Sequence, residues 1–187
     1  MELINKRESF DKFIYENIKG SNLQICDLCC GHGDTLNLLR KRAKEIYGVD
    51  IDKKVIGFCK KRFQGLKKVK LNIASAMDTG FKTASFDYVI LQMGLHHIKD
   101  KKKVMKEIHR ILKKNGKFIL IDKYYISPFR YYFYEIFRFL SKGDKHILNH
   151  HIRSEHYNKS LINKGFRLLK KNTLKNFLEI LLKHLWN

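Results

Sequence analysis

Two glycines and a later carboxylate have the spacing expected of a site for a nucleotide-like ligand. The segment Gln24 to Asp34, QICDLCCGHGD, leads from a strand-like apolar run into a loop containing Gly31 and Gly33. Loop glycines let a ligand approach the backbone closely, and the N–H groups of a following helix point at that ligand. Asp50 ends the next apolar run, where doubly wound sheets place an acid that accepts hydrogen bonds from ribose hydroxyls. The glycines by themselves also occur in ordinary strand–helix turns.

The chain also carries two groups of histidines. His96 and His97 follow the apolar run FDYVILQMGL. A neutral imidazole there could take a proton from a phenol, a carbon acid or an amine. The same two residues could instead cap the next helix or contact a bound cofactor.

The second histidine group lies later in the chain, and it comprises His146, His150, His151 and His156. The first two would share one face of a helix and could hold a metal, but no carboxylate or cysteine completes an obvious ligand set. We therefore predict no metal site. We expect a loop that touches the substrate through His150 and His151.

Alternating apolar runs and helical patterns predict the elements that position these residues. Strands are expected near residues 24–29, 46–51, 69–74, 86–92 and 117–122, and helices near 34–44, 53–64, 100–113 and 128–141. This order indicates an α/β fold with a Rossmann-like, doubly wound, mostly parallel sheet and helices on both faces. The glycines, Asp50 and the pair His96–His97 all fall at carboxyl ends of strands, where such sheets bind ligands.

The two ends of the chain depart from this alternation. Near the N-terminus, apolar residues at helical spacing predict an amphipathic helix closed by Gly20. Near the C-terminus, a helix from Ser154 to Lys164 should lead into a short strand at 166–169. The apolar residues from Leu174 to Leu185 then follow a helical period and predict a final helix. We accordingly expect a reduced C-terminal strand pair and fewer than seven strands.

Composition limits the classes of protein that fit this chain. A length of 187 residues suits one domain, comprising an N-terminal helix (1–22), a ligand-binding core (23–122) and a covering C-terminal part (123–187). We find no apolar stretch long enough to span a membrane and no secretory signal in the sequence. The four cysteines are better explained as reduced thiols than as a disulfide framework. We expect a cytoplasmic protein. The net charge of +21 favours anionic partners, although the lysines are spread in short clusters.

Four successive motifs resemble those of class I S-adenosylmethionine-dependent methyltransferases. The motifs are DLCCGHGD, GVDID, FDYVILQMGLHHI and EIHRILKKNGKFILID, and they cover Gln24 to Asp122 in order. The nearest likeness is to the branch that includes ubiquinone and menaquinone methyltransferases. The resemblance implies S-adenosylmethionine as the cofactor and methyl transfer to a small-molecule or lipid-like, quinone-like acceptor. It also implies that His96 or His97 serves as a catalytic base.

The resemblance further implies a set of cofactor contacts. Asp50 would take both ribose hydroxyls and Ile51 would pack on the adenine. Cys29 stands where the family has its first loop glycine, and Ser75 stands where the family often has an acid near the adenine amino group. The complete set of expected cofactor-binding residues is Asp27, Cys29, Gly31, Gly33, Asp50, Ile51, Ser75, Ala76, Met77 and Gln92.

The acceptor side is expected to involve the aromatic segment Tyr124 to Leu140, with Tyr124 and Tyr131 beside His150 and His151. Such a segment could also be a core helix, a dimer face or a helix lying on a membrane surface. The run after the fourth strand lacks the Asn/Asp-Pro-Pro-aromatic motif of methyltransferases that act on nucleobase amines. This absence weighs against an RNA methyltransferase, which the net charge of +21 keeps as one alternative. A non-catalytic cofactor-binding module is another. A nicotinamide dehydrogenase would need a third glycine where Asn37 stands.

Overall fold

The computed structural model describes residues 2–123, 166–174 and 177–184, with side chains described for residues 7–122. The helices are α1 (Glu2–Asn17), α2 (Asp34–Leu39), α3 (Lys53–Arg62) and α4 (Lys101–Ile111), with a 3₁₀ turn at Leu95–His97. The strands are β1 (Leu23–Leu28), β2 (Ala43–Asp50), β3 (Val69–Ile73), β4 (Phe86–Gln92), β5 (Leu112–Lys123), β6 (Phe166–Leu174) and β7 (Phe177–His184).

The strands form one sheet in the order β3-β2-β1-β4-β5-β7-β6. The first five strands of the chain pair in parallel, and β7 inserts antiparallel between β5 and β6. The predicted doubly wound α/β fold is confirmed. Parallel neighbours are joined through helices because a parallel connection must return to the starting edge of the sheet.

The prediction for the C-terminal end was wrong in two respects. The strand that begins at Phe166 is nine residues long, and Phe177–His184 is a strand rather than a helix. The described sheet therefore has seven strands instead of fewer. The predicted helices at 128–141 and 154–164 lie outside the described residues.

Both faces of the sheet are covered, so successive strand residues enter two different apolar layers. Cys26 and Leu28 of β1 join Val89 of β4 in a layer with α4. Ile25 of β1 and Ile90 of β4 join the opposite layer, with α1, α2 and α3. Each fully buried aliphatic side chain of this size contributes roughly 1.5–3 kcal/mol of transfer free energy. A shift of one residue would exchange the two layers, so this burial on both faces fixes the register of each strand.

Several element boundaries differ from the sequence prediction. Helix α2 ends at Leu39 because β2 already pairs with β1 at Ala43. Strand β5 begins directly after α4, with an irregularity in its pairing to β4 near Asn115, whose φ is +64°.

An aspartate caps the N-terminal end of both α3 and α4. The side chain of Asp52 accepts a hydrogen bond from the backbone N–H of Lys54, and that of Asp100 accepts one from the N–H of Lys103.

Candidate active site

The loop between β1 and α2 is held in the left-handed backbone region at three positions. Cys29, Gly31 and Gly33 have φ angles of +57°, +51° and +80°. A Cβ atom on Gly33 would lie 2.6 Å from Cε2 of Phe63, whereas one on Gly31 would meet nothing within 4 Å. Position 33 therefore requires glycine both for its backbone angle and for its close contact with Phe63, the residue directly after α3.

Asp50 ties this loop to the start of α3. Its Oδ2 accepts a hydrogen bond from the backbone N–H of Gly31 at 3.1 Å, and its Oδ1 accepts one from the N–H of Asp52 at 3.0 Å. A carboxylate offers about four lone-pair positions, so this side chain retains the capacity to accept further hydrogen bonds. It is therefore positioned as an acceptor for ligand hydroxyls at the carboxyl end of β2.

The interior of the site is acidic although the chain as a whole is strongly basic. Asp27 is only 2% exposed, and burial, followed by the charges of Asp50 and Asp34, raises the pKa of its carboxyl well above the usual range. Burial, followed by Asp50, Asp27 and Asp122, raises the pKa of the Cys29 thiol to about 12. The negative charges of carboxylates from β1, β2 and β5 thus all reach the Cys29 thiol, and they would stabilise a bound cation near it.

Seven of the predicted site residues line one cavity of about 470 Å³, which is within the usual range for a small-molecule site of about 300–1,000 Å³. These residues are Cys29, Asp50, Ile51, Ser75, Ala76, Met77 and His97. The remaining wall residues were not predicted from the sequence, and they are Val49, Ala74, Met93, Gly94, Ile98 and Lys99. Most of these are apolar residues adjacent to a predicted site residue, and their type carries no chemical signal.

The wall after β3 combines backbone polarity with exposed apolar surface. Ser75 Oγ accepts a hydrogen bond from the backbone N–H of Met77 at 3.1 Å, and the Ser75 carbonyl accepts one from the N–H of Asp78. Met77 is exposed, and Ile51 across the cavity has an exposed fraction of 73%. Two exposed apolar side chains with a polar turn beside them suit a flat heteroaromatic ring.

The two histidines after β4 occupy different environments. His96 is 3% exposed, and Asp122 holds it with Oδ2 at 3.0 Å from its backbone N and Oδ1 at 2.6 Å from ring Nδ1. His97 is exposed and lines the cavity, and the two ring centroids are 4.0 Å apart. Asp122 was not among the site residues predicted from the sequence. Its signal was a carboxylate at the carboxyl end of β5, the same feature that identified Asp50.

The other predicted residues lie beside the cavity without lining it. Gln92 accepts a hydrogen bond through Oε1 from the hydroxyl of Thr35 at 3.0 Å, and Thr35 is buried. The remaining residues of this kind are Asp27, Gly31, Gly33 and His96. The predicted acceptor residues Tyr124, Tyr131, His150 and His151 are outside the described residues.

The donor and acceptor set suits S-adenosylmethionine, the cofactor that the sequence resemblance implies. This molecule carries a cationic sulfonium and an ammonium group, two ribose hydroxyls and an adenine ring. The acidic interior suits the two cations, the remaining acceptor capacity of Asp50 suits the hydroxyls, and the apolar surface of Ile51 and Met77 suits the adenine.

Within residues 2–123, 166–174 and 177–184, no helix is long and apolar enough to cross a membrane.

Comparison with known families gives a direct match over the core of the fold. The family described as "Methyltransferase domain" matches residues 26–120. Among curated relatives, the demethylmenaquinone methyltransferase of Geobacillus sp. (strain WCH70) is 31% identical over 140 residues, which is 69% of this chain and 60% of that protein. The corresponding protein of Geobacillus stearothermophilus is 35% identical over 121 residues, 61% of this chain and 52% of its own length. The chain thus spans little more than half the length of these relatives.

Solved structures agree at the level of the fold. YcgJ from Bacillus subtilis superposes with a TM-score of 0.81 at 15% identity, covering 95% of this chain and 98% of that one. An S-adenosylmethionine-dependent methyltransferase from Mesorhizobium loti gives a TM-score of 0.78 at 17% identity, covering 92% and 96%. The similarity extends over nearly the whole of each chain, including the sheet whose carboxyl edge forms the cavity.

Proposed function

The chain belongs to the methyltransferase-domain family, whose cofactor is S-adenosylmethionine, and we propose that it transfers a methyl group from this cofactor to a small or lipid-like acceptor of the quinol type. We further propose that residues 1–187 act as one methyltransferase domain. The acidic, glycine-bordered cavity at the carboxyl ends of β1, β2 and β4 is the observation that carries this proposal. The names of the curated relatives support the choice of acceptor class.

The chain's own residues would perform two tasks, holding the cofactor and orienting the acceptor. When bound, S-adenosylmethionine supplies a methyl group on a positively charged sulfur, which is already activated for displacement. Asp50 would accept the ribose hydroxyls, and Ile51 and Met77 would enclose the adenine. Asp27, buried beside the cavity, would attract the cationic amino acid part through its charge. Holding donor and acceptor in line accounts for most of the acceleration such a reaction needs.

His97 is our candidate for the group that removes a proton from the acceptor. It lines the cavity and is exposed, whereas His96 behind it is buried and held by Asp122. A quinol hydroxyl that loses its proton to the imidazole would become the better nucleophile, and its oxygen or the adjacent ring carbon would receive the methyl group as the sulfur–methyl bond breaks. On the carbon route, the ring hydrogen at that carbon would then leave as a proton to solvent and restore the aromatic ring. His96 would act on this step by fixing the position of the neighbouring ring, from which its own ring centroid is 4.0 Å away.

Transfer of a labelled methyl group to candidate acceptors tests the proposal. We expect purified protein to methylate a short-chain benzoquinol or naphthoquinol and to leave bulk RNA unlabelled. Replacement of His97 by glutamine should lower kcat about 100-fold with little change in the KM for the cofactor, because the base acts on the acceptor. Labelling of RNA but not of quinols would favour the RNA alternative, which the charge of +21 keeps as the second candidate.

A further inference from the structure

The first turns of α3 and α4 carry positive charge where helix electrostatics disfavour it. Lys53 and Lys54 open α3, and Lys101 to Lys103 open α4, with no acidic residue in either first turn. The N-terminal end of a helix carries partial positive charge from its unpaired N–H groups, so lysines there are repelled. The caps Asp52 and Asp100 offset only part of this charge. Helix stability therefore does not explain the placement of these lysines.

Both lysine groups follow the cavity wall closely in the chain, and Lys99 itself lines the cavity. Asp50 and Ile51 line the cavity and lead directly into the cap of α3, while the wall residues His97 to Lys99 lead directly into the cap of α4. The two helices pack on opposite faces of the sheet. We use the name lysine rim for the exposed residues Lys53, Lys54, Lys99, Lys102 and Lys103.

The charge of the rim is opposite to that of the interior. The lysine rim is positive, whereas Asp27, Asp50 and Asp122 act together on the cavity interior. An anionic polymer would be attracted to the rim and repelled from the interior, but an uncharged acceptor could pass between them. The rim contains no arginine, the residue that recognises single phosphates through two parallel hydrogen bonds. A surface of distributed negative charge fits these features better than an anionic chain that enters the site.

We propose that the lysine rim docks the protein on an anionic lipid bilayer, with the mouth of the cavity facing the membrane. Juxtaposed lysines gain affinity from the negative surface potential of such a membrane without a specific headgroup pocket. A lipid-like acceptor would then reach the cavity without crossing water. The proposal rests on the proposed function only in assigning a lipid-like acceptor, because docking itself requires neither cofactor nor acceptor.

Cosedimentation with lipid vesicles at physiological salt tests this surface. The rim variant replaces Lys53, Lys54, Lys102 and Lys103 by glutamine. A matched control replaces Lys41, Lys60, Lys67 and Lys70 by glutamine. These exposed residues line two other clefts, near the amino ends of β2 and β3. Both variants lose four charges. We expect wild type to bind phosphatidylcholine vesicles that contain phosphatidylglycerol, the rim variant to bind roughly 100-fold more weakly, and the control to change less than about threefold.

Three results would overturn the proposal. The first is equal loss of binding by both variants, which would show attraction by diffuse net charge. The second is undiminished binding of the rim variant to the anionic vesicles. The third is displacement of wild type from vesicles by single-stranded RNA together with loss of RNA binding in the rim variant alone. Titration of each variant with S-adenosylhomocysteine shows whether its site is intact, and failure of wild type in that titration would count against the proposed function and not against docking.

Discussion

Asp122, at the carboxyl end of β5, accepts two hydrogen bonds from His96, one from the backbone N–H at 3.0 Å and one from ring Nδ1 at 2.6 Å. A carboxylate is only an acceptor, so Nδ1 carries the hydrogen and Nε2 is the basic nitrogen of the neutral ring. The same residue therefore fixes the position of the histidine backbone and its tautomer. The neighbouring ring of His97 lies in the cavity wall, with its centroid 4.0 Å from that of the His96 ring. The fixed ring of His96 therefore limits the positions that the His97 ring can take.

Replacement of Asp122 by asparagine tests the positioning role. Asparagine has one acceptor oxygen for two donors, so His96 should lose its single tautomer. We expect kcat to fall about tenfold while the KM for the cofactor changes little. Nitrogen chemical shifts of the His96 ring report the tautomer independently of activity. Unchanged shifts together with full kcat would show that Asp122 has no positioning role.

Asp27 should lower the stability of the ligand-free protein at neutral pH. Its pKa is raised in the folded state by burial and by Asp50 and Asp34. The folded state thus holds the proton more tightly than the unfolded state, and stability falls as pH rises from about 3.9, the ordinary pKa of the unfolded chain, through the raised value. Replacement by asparagine should stabilise the free protein at pH 7 by on the order of 1 kcal/mol and abolish cofactor binding.

The measurement for this prediction is the free energy of unfolding from urea titrations of both proteins at several pH values. The gain of the asparagine variant should be greatest above the raised pKa and should vanish below about pH 4. A variant that is less stable than wild type at pH 7, or that still binds the cofactor fully, would contradict this account of the acidic site.

The sequence predicted the fold of residues 23–122 well because its signals are local. Glycines in a loop, acids at strand ends and alternating apolar runs each report on a few consecutive residues, and Asp50 and Gly31 do meet in the structure. Asp122 was missed because its importance depends on His96, which is 26 residues away in the chain. A strand-end carboxylate alone does not reveal its partner.

The prediction for β7 failed for a different physical reason. This strand lies between β5 and β6, so it pairs on both edges, and five of the eight residues in its sequence FLEILLKH are apolar. A short apolar run of this kind fits a helical period as readily as a buried strand. The long-range pairing of Phe118 with Leu182 decides between them, and periodicity holds no information about that pairing.

Gly33 and Gly31 should differ in their tolerance of alanine. Both have positive φ angles, which cost an alanine about 1–2 kcal/mol, but only the Cβ at position 33 would collide with Phe63. We expect Gly31→Ala to cost about that amount and Gly33→Ala at least about 3 kcal/mol. Urea unfolding measures both, and combining Gly33→Ala with Phe63→Leu should recover part of the loss. Equal costs at the two positions would show that the contact with α3 is unimportant.

Cys29 and Gly94 should be energetically coupled across the cavity wall. A Cβ on Gly94 would lie 2.6 Å from Cβ and 2.9 Å from Sγ of Cys29, while φ of Gly94 is −112°, which any residue adopts. Gly94→Ala should therefore destabilise by about 1–3 kcal/mol through the contact alone. The same change in a Cys29→Gly background should cost much less. A double-mutant cycle by urea unfolding measures this coupling, and additive effects would contradict it.

Titration calorimetry with S-adenosylhomocysteine tests the central claim most directly. Wild type should bind one equivalent, and Asp50→Asn should weaken binding at least about 100-fold, because each hydrogen bond to a charged acceptor contributes about 1.5–3 kcal/mol. The matched control is Asp87→Asn, which alters a carboxylate bound to Lys113 near the opposite, amino end of β4. It should bind like wild type. No binding by folded wild type, or equal binding by Asp50→Asn, would contradict the assignment of this cavity as the cofactor site.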